Sequence, residues 1–163
     1  MPLLPILRFP DPRLRQPAQP IGLVDDGVRA LARDLLDTMR AAPGVGITGP
    51  HVGVLRRITV VELDGRVRTY IDPVVLWSSP ETARHVEGSV SMPGVTEEIE
   101  RPARVRVGFL DLEGAWREEE ADGFLATCLQ HEIDQLDGVF WIDRLSRLKR
   151  ERVVKRFEKL SRR

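Results

Sequence analysis

Gln130-His131-Glu132-Ile133-Asp134-Gln135-Leu136 is a stretch typical of a helix that carries part of a hydrolytic metal site. In the zinc-hydrolase pattern H-E-x-x-H, two histidines four residues apart share a helix face and bind one metal ion. The glutamate beside the first histidine acts as general base on the metal-bound water. Here Gln135 stands at the second histidine position, and an amide is a poor substitute for imidazole on a transition metal. The stretch therefore belongs either to a working metal hydrolase or to the same fold without its metal chemistry.

The sequence around this stretch predicts short strands flanked by helices. Asp122-Gly123 opens the helix that contains the stretch, predicted over 123–136, and Gly138 is suited to end it. Further helices are predicted over 26–42, after Asp25 or Asp26, and over 147–160, after Ser146, with Leu148, Val153 or Val154, and Phe157 facing inward. Strands are predicted over 57–63, 67–71, 74–77, 105–110, 116–120 and 139–142, an extended segment over 81–86, and loops over 44–53 and 92–94. Strands and helices do not alternate, so we predict an α+β class and a single domain over 1–163.

The composition excludes several classes of protein. Basic and acidic residues number 25 each, which does not support a nucleic-acid or anionic-membrane partner. The basic cluster over 144–163 is interpreted as a solvated helix face. A single cysteine, Cys128, rules out an intramolecular disulfide framework, and we interpret it as a packing residue. With no membrane-spanning run or leader pattern, we expect a soluble cytoplasmic protein, whose oligomeric state the sequence leaves open.

Three separated motifs resemble those of the peptide deformylases, enzymes that remove formate from N-formylmethionine on new bacterial and organellar proteins. Gly44-Val45-Gly46-Ile47 matches the start of G-x-G-x-A-A-x-Q, and Glu87, Gly88 and Ser91 match E-G-C-x-S. Gln130, His131, Glu132, Asp134 and Gly138 match Q-H-E-x-D-H-x-x-G. The resemblance implies a deformylase-like fold in which a central motif helix is surrounded by short antiparallel β-sheets, followed by a C-terminal helix.

The resemblance also implies roles for individual residues. The family's metal, typically Fe²⁺ with Zn²⁺ or Ni²⁺ able to substitute, is held by one thiolate and two imidazoles. The corresponding positions here hold Ser89, His131 and Gln135, so one ligand of three is retained. Glu132 occupies the position of the general base, and His51 replaces a loop glutamine that donates to the developing oxyanion. Substrate-binding positions carried over from the family are Gly44, Gly46, His51 and Val90.

These substitutions predict loss of the metal. A serine hydroxyl ionises far less readily than a thiol, and a glutamine oxygen is a neutral donor. We therefore expect no tightly bound metal and absent or strongly reduced hydrolysis. The pocket is expected to remain open to N-terminal or formylated peptides, in a binding or regulatory role.

Two alternatives stay open. An active formyl-amide hydrolase requires a weak or relocated metal site built from His51, His131 and Glu132. The competing interpretation, which we favour, is that His51 binds no metal and hydrogen-bonds to Gln135, Ser89 or a water. The second alternative is a purely structural protein with neither ligand nor turnover.

Three further residues receive an interpretation from the sequence. Glu87 and Arg101 are predicted to form a buried ion pair that supports the pocket. His85 lies in a predicted extended segment and is interpreted as structural or exposed.

Overall fold

Helix α2, Gly123–Leu136, lies at the centre of the fold and is buried on nearly every side. The computed structural model describes residues 3–162. Every residue of α2 from 126 to 133 is buried, as are Gln135 and Leu136. Such a helix must satisfy its polar side chains within the protein, because water does not reach them. Its bounds agree with the prediction, and Gly138 follows it with φ of 80°.

Antiparallel strands surround α2 in two sheets. One sheet has the order β1-β2-β3-β6-β7, in which the strands are β1 Gly46–Thr48, β2 Ile58–Leu63, β3 Arg66–Ser78, β6 Arg104–Leu110 and β7 Trp116–Asp122. The other sheet pairs β4, Thr82–Ser89, with β5, Met92–Pro102. The predicted α+β class is confirmed, as is the predicted arrangement of antiparallel sheets around a central helix.

The helices at the two ends of the chain begin at the predicted caps. Helix α1 spans Asp26–Ala41, and the side chain of Asp25 accepts a hydrogen bond from the Val28 amide at 3.0 Å. Helix α3 spans Arg147–Ser161 and is capped by Ser146. No helix within residues 3–162 is both long enough and apolar enough to cross a membrane.

Strand β3 joins two segments that were predicted as separate strands. Its first half pairs with β2 through Ile71, and its second half pairs with β6. The register shifts between Ile71 and Val74, where Asp72 has φ of 49°. The Asp72 carboxylate accepts hydrogen bonds from the amides of Ile21 and Gly22 at 2.7 and 2.8 Å. The Asp72-Pro73 break therefore marks a change of partner strand rather than the end of a strand.

Other predictions were wrong. The predicted loop over 92–94 is the start of β5, and part of the predicted loop over 44–53 is β1. The predicted strand over 139–142 is not a strand: a 3₁₀ turn spans Trp141–Arg144, and its apolar residues are buried. A short apolar run cannot distinguish a strand from another buried segment. Leu148 is 59% exposed, so α3 turns Val153 and Phe157 inward without it.

Candidate active site

A cavity of about 370 Å³ lies beside α2, between the glycine-containing segment before β1 and the β4–β5 hairpin. Most of the residues assigned to the site from sequence line it together: Gly44, Gly46, His51, Ser89, Val90, His131 and Glu132. Gln135 is not among the lining residues. The fold therefore gathers every predicted site residue except the one at the second histidine position.

The two glycines let the backbone lie directly against side chains of the site. A Cβ at Gly44 would lie 2.7 Å from Cγ1 of Val90, and one at Gly46 would lie 3.1 Å from Cδ of Glu132. A side chain at either position would force its neighbours to shift. The glycines are therefore explained by this close approach, not by a backbone conformation that only glycine adopts. The predicted substrate-binding positions Gly44, Gly46 and Val90 thus form one wall of the cavity.

His131 is oriented by a buried ionic network. Its Nδ1 lies 2.8 Å from Oε1 of Glu87, and Arg101 donates to both oxygens of Glu87 at 2.6 and 2.9 Å. Arg101 also donates to Asp134 at 2.8 Å, and Arg144 donates to the same carboxylate. The predicted buried pair of Glu87 and Arg101 is confirmed, and it leaves Nε2 of His131 as the ring nitrogen without a link to Glu87.

The same network governs the protonation of its members. Burial works to raise the pKa of Glu87, but hydrogen bonds from His131 and Arg101 outweigh it and hold the pKa below its ordinary value. For His131 burial alone would lower the pKa, whereas the hydrogen bond to Glu87 and the charge on Glu132 raise it. The two residues therefore stabilise each other's charged forms.

Glu132 is a buried carboxyl with one unsatisfied oxygen. Its Oε1 lies 3.5 Å from Nε2 of His131, and its Oε2 has no hydrogen-bond partner within residues 3–162. Burial raises the pKa of Glu132 to about 7. A pKa near neutrality suits a general base, so Glu132 can perform that proton transfer if a nucleophile is supplied.

His51 is also buried, and its hydrogen-bond partner among the described residues is Thr48 rather than Gln135 or Ser89. Its Nδ1 lies 3.0 Å from both the amide nitrogen and the hydroxyl of Thr48. Its Nε2 has no hydrogen-bond partner in the described chain. Burial, together with the charge of His131, lowers the pKa of His51 to about 3. The ring is therefore neutral at physiological pH.

The two substituted ligand positions make hydrogen bonds within the protein. Oγ of Ser89 accepts a hydrogen bond from the Ser91 amide at 3.1 Å. The side-chain amide of Gln135 is 1% exposed and donates to the carbonyl oxygen of Leu14 at 2.7 Å. Gln135 thus ties α2 to the N-terminal segment, across 121 positions of the chain.

The donors that could serve a metal ion are few. Within residues 3–162 no group of three or more His, Cys, Asp or Glu side chains is arranged so that it could hold one. Cys128 lines the cavity, but it is 7% exposed and burial raises the pKa of its thiol to about 12. Nor do His51, His131 and Glu132 form the relocated centre that the alternative requires. His131 is left as the single imidazole at a predicted ligand position.

Some residues of the site were not predicted. Asp134 matched a motif but received no role, although it binds both Arg101 and Arg144. Thr48, the partner of His51, and Phe124, which lines the cavity, were assigned no role from sequence, because their contacts depend on the folded arrangement. Thr127, on the cavity wall, lies 2.9 Å from Nδ1 of His85, which agrees with a structural role for that histidine.

Comparison with known proteins places this arrangement in a family. The model of the polypeptide deformylase family matches residues 3–151. A protein of Rhizobium meliloti named "Peptide deformylase-like" is 61% identical, over 99% of this chain and 95% of its own. A "Peptide deformylase" of Methylocella silvestris is 50% identical over 98% and 85%. The crystal structure of a peptide deformylase from Legionella pneumophila superposes with a TM-score of 0.93 at 35% identity, covering 99% and 96%. The chain therefore belongs to the peptide deformylase family.

Proposed function

We propose that this protein binds N-terminal or formylated peptides in the cavity beside α2 and has lost most or all of the metal-dependent hydrolysis of its family. Ser89, His131 and Gln135 do not fit an iron site, because a thiolate and an imidazole have given way to a hydroxyl and an amide. The pocket itself, with its glycine wall and buried Glu132, retains the space and polar groups that a ligand needs.

The observation that carries this proposal is the side chain of Gln135. A ligand must present a lone pair at the metal position, but the Gln135 side chain does not line the cavity and is held away from it by the hydrogen bond that its Nε2–H donates to the Leu14 carbonyl. Loss of a residue that only orients a ligand already costs about 10–100-fold in metal affinity. Replacement of two ligands out of three should cost considerably more.

Glu132 cannot compensate for the metal. A metal ion lowers the pKa of bound water to about 7 and polarises the carbonyl that is attacked. General-base assistance alone is worth about 10²–10⁴-fold, which is too little for efficient amide hydrolysis. The retained glutamate is therefore assigned to ligand binding.

Catalysis is tested by formate release from a formyl-methionyl peptide after anaerobic reconstitution with iron, nickel or cobalt. We expect release no faster than that of the Glu132→Ala variant. The double substitution Ser89→Cys with Gln135→His restores both missing ligand types and should gain metal-dependent release, which shows that the assay detects activity in this scaffold. Turnover by the native chain that requires both the metal and Glu132 would contradict the proposal.

Binding is tested by calorimetry with the same peptide. Phe124 lines the cavity and is 41% exposed, so Phe124→Ala should weaken binding. Leu148 is exposed outside the cavity, so Leu148→Ala should bind like the native chain and serves as the matched control. If millimolar peptide gives no measurable heat of binding, the peptide-binding role is excluded.

A second candidate function is an active formyl-amide hydrolase that works with a weakly held metal. It is favoured by the retained geometry of His131 and Glu132, with Nε2 and Oε1 3.5 Å apart, and by the buried Glu87 that orients the imidazole. The formate assay decides between the two functions, because only this candidate gives release that depends on metal and on Glu132 in the native chain.

A further inference from the structure

The larger sheet has an outer face that helices cover only in part. On the inner face, α2 packs against a core cluster that includes Tyr70 and Val107. On the outer face, α1 packs over β1 and β2, in a cluster that includes Ile71, the residue after Tyr70. Successive residues of a strand lie on opposite faces, so the two helices cover opposite sides of the sheet. Further along β3, β6 and β7, apolar side chains of the outer face are exposed to solvent.

These exposed side chains form one patch. Val74, Leu76, Trp77 and Trp116 are each between 42% and 52% exposed. The indole ring of Trp116 lies over the backbone of Gly108, and Cδ1 of Leu76 lies 3.1 Å from the position that a Cβ of Gly108 would take. We call these five residues the outer patch. A contiguous exposed apolar patch is typical of an interaction surface, whereas single exposed apolar residues are not.

Charged residues of both signs flank the outer patch. The register sets Arg106 on β6 opposite Glu120 on β7, and Arg104 opposite Asp122, so arginines and carboxylates form neighbouring rows. Arg104 pairs with Glu81, whereas no residue of 3–162 forms an ion pair with Arg106 or Glu120. The face is therefore balanced in charge, which suits a partner that carries the same two rows.

The edge of β7 is unsuited to extending the sheet with a second copy. Glu118, Glu119 and Glu120 follow one another on this edge strand. Antiparallel pairing of two β7 strands about Glu119 would set glutamates opposite glutamates, and like charges in that position destabilise a strand pair. A second copy is therefore expected on the face and not at the edge.

We propose that the protein forms a two-fold dimer through the outer patch, with the two sheets face to face. A two-fold axis parallel to the strands, between β6 and β7, sets β6 of one copy against β7 of the other. Residues opposite each other within the sheet then meet across the interface, so Arg106 faces Glu120 of the second copy twice in each dimer. Trp116, which extends from β7 over Gly108 on β6, lies next to this axis. The zero net charge of the chain adds no long-range repulsion between copies.

The proposed interface is independent of the proposed function. The cavity beside α2 is lined by no residue of the outer patch, nor by Arg106 or Glu120. Substitutions in the interface should therefore leave the affinity for a formyl-methionyl peptide unchanged.

Sedimentation equilibrium of the native chain over a series of concentrations tests the dimer. We expect the mass to change reversibly from monomer to dimer as the concentration rises. Leu76→Glu places a carboxylate in the outer patch and should remain monomeric, whereas Leu148→Glu, at an exposed leucine on α3, should dimerise like the native chain. A native chain that is monomeric at every concentration would overturn the proposal and leave the patch to a different protein. A dimer that Leu76→Glu does not weaken would overturn it as well.

Charge reversal tests the arrangement of the two copies. Arg106→Glu and Glu120→Arg should each weaken self-association at least about 10-fold, because like charges then face each other twice. An equal mixture of the two variants should associate again, since each supplies the charge that the other lacks. The chain with both substitutions should also dimerise, so the test holds even if a single variant does not fold. If the mixture and the double variant both stay monomeric, the two-fold arrangement is wrong.

Discussion

Arg101 holds two carboxylates of the site at once, Glu87 and Asp134, and all three side chains are largely buried. Removing one partner of a buried ionic network leaves the other charges uncompensated, which costs about 3–5 kcal/mol. We therefore expect Arg101→Ala to lower the free energy of unfolding by about that amount. Chemical denaturation followed by circular dichroism measures it.

Arg104 provides the matched control for that prediction. It pairs with Glu81 on the surface, where the two side chains are 56% and 65% exposed. Exposed pairs contribute about 0–1 kcal/mol, so Arg104→Ala should change stability little. Equal effects of the two substitutions would mean that the buried network does not stabilise the fold.

His51 should make stability depend on pH in a definite window. Its pKa falls from 6.5 in the unfolded chain to about 3 in the folded chain, because burial disfavours the charged ring. Below pH 6.5 the unfolded chain binds a proton at His51 that the folded chain does not bind. The free energy of unfolding therefore decreases as the pH falls toward 3.

The His51→Gln variant isolates this contribution. Between pH 7 and pH 5 the native chain should lose about 2 kcal/mol more than the variant. Parallel urea titrations of both proteins across this range measure the difference. Identical pH profiles would show that the ring is protonated without cost in the folded state.

At the scale of elements, the Gln135 side chain joins α2 to the 3₁₀ turn at Pro12–Arg15 through the Leu14 carbonyl. Leu14 is 1% exposed, so its carbonyl has no ready replacement for the lost donor. Gln135→Leu should cost about 1–3 kcal/mol, the penalty for a buried polar group left unsatisfied.

The part of the molecule that Gln135→Leu destabilises can be measured, as well as the decrease in the free energy of unfolding. Hydrogen exchange should accelerate in the N-terminal segment around Leu14 and at the end of α2, because these are the parts that the bond connects. Helix α1 packs against β1 and β2, in a core cluster that does not include Leu14, so its exchange should serve as an internal reference. Uniform acceleration throughout the chain would mean that Gln135 supports global stability without a local role.

At the scale of the whole molecule, a metal that binds only the folded state must raise its stability. Binding at about 100 times the dissociation constant adds about 2.7 kcal/mol. We expect the Tm of the native chain to be unchanged by Ni²⁺ or by a chelator. The variant with both Ser89→Cys and Gln135→His should gain a Tm increase that the chelator reverses.

This measurement is independent of turnover and so complements the formate assay. A native chain whose Tm rises with stoichiometric Ni²⁺ would show that the substituted ligand positions still hold a metal. Single substitutions at either position are useful intermediates, because each restores one missing ligand and so fills two of the three ligand positions.

Much of the architecture could be predicted from local signals. The bounds of α2 follow from Asp122-Gly123 at its start and Gly138 after its end, and the caps of α1 and α3 were identified from single residues. The buried pair of Glu87 and Arg101 could be predicted only through motif resemblance, and the contact of Glu87 with His131 was not predicted. Strand β5 was missed because Met92-Pro93-Gly94 has the composition of a turn, although it is the pairing with β4 that makes the segment a strand.

The sequence by itself determined which residue types stand at the site: one imidazole, one glutamate, and a serine and a glutamine at the other ligand positions. Only the tertiary structure decided which partners the buried polar side chains take. Gln135 donates to the Leu14 carbonyl, and Nδ1 of His51 lies against Thr48. Hydrogen-bond partners of buried side chains come from any distance along the chain, and burial makes those bonds obligatory, so no local pattern can predict them.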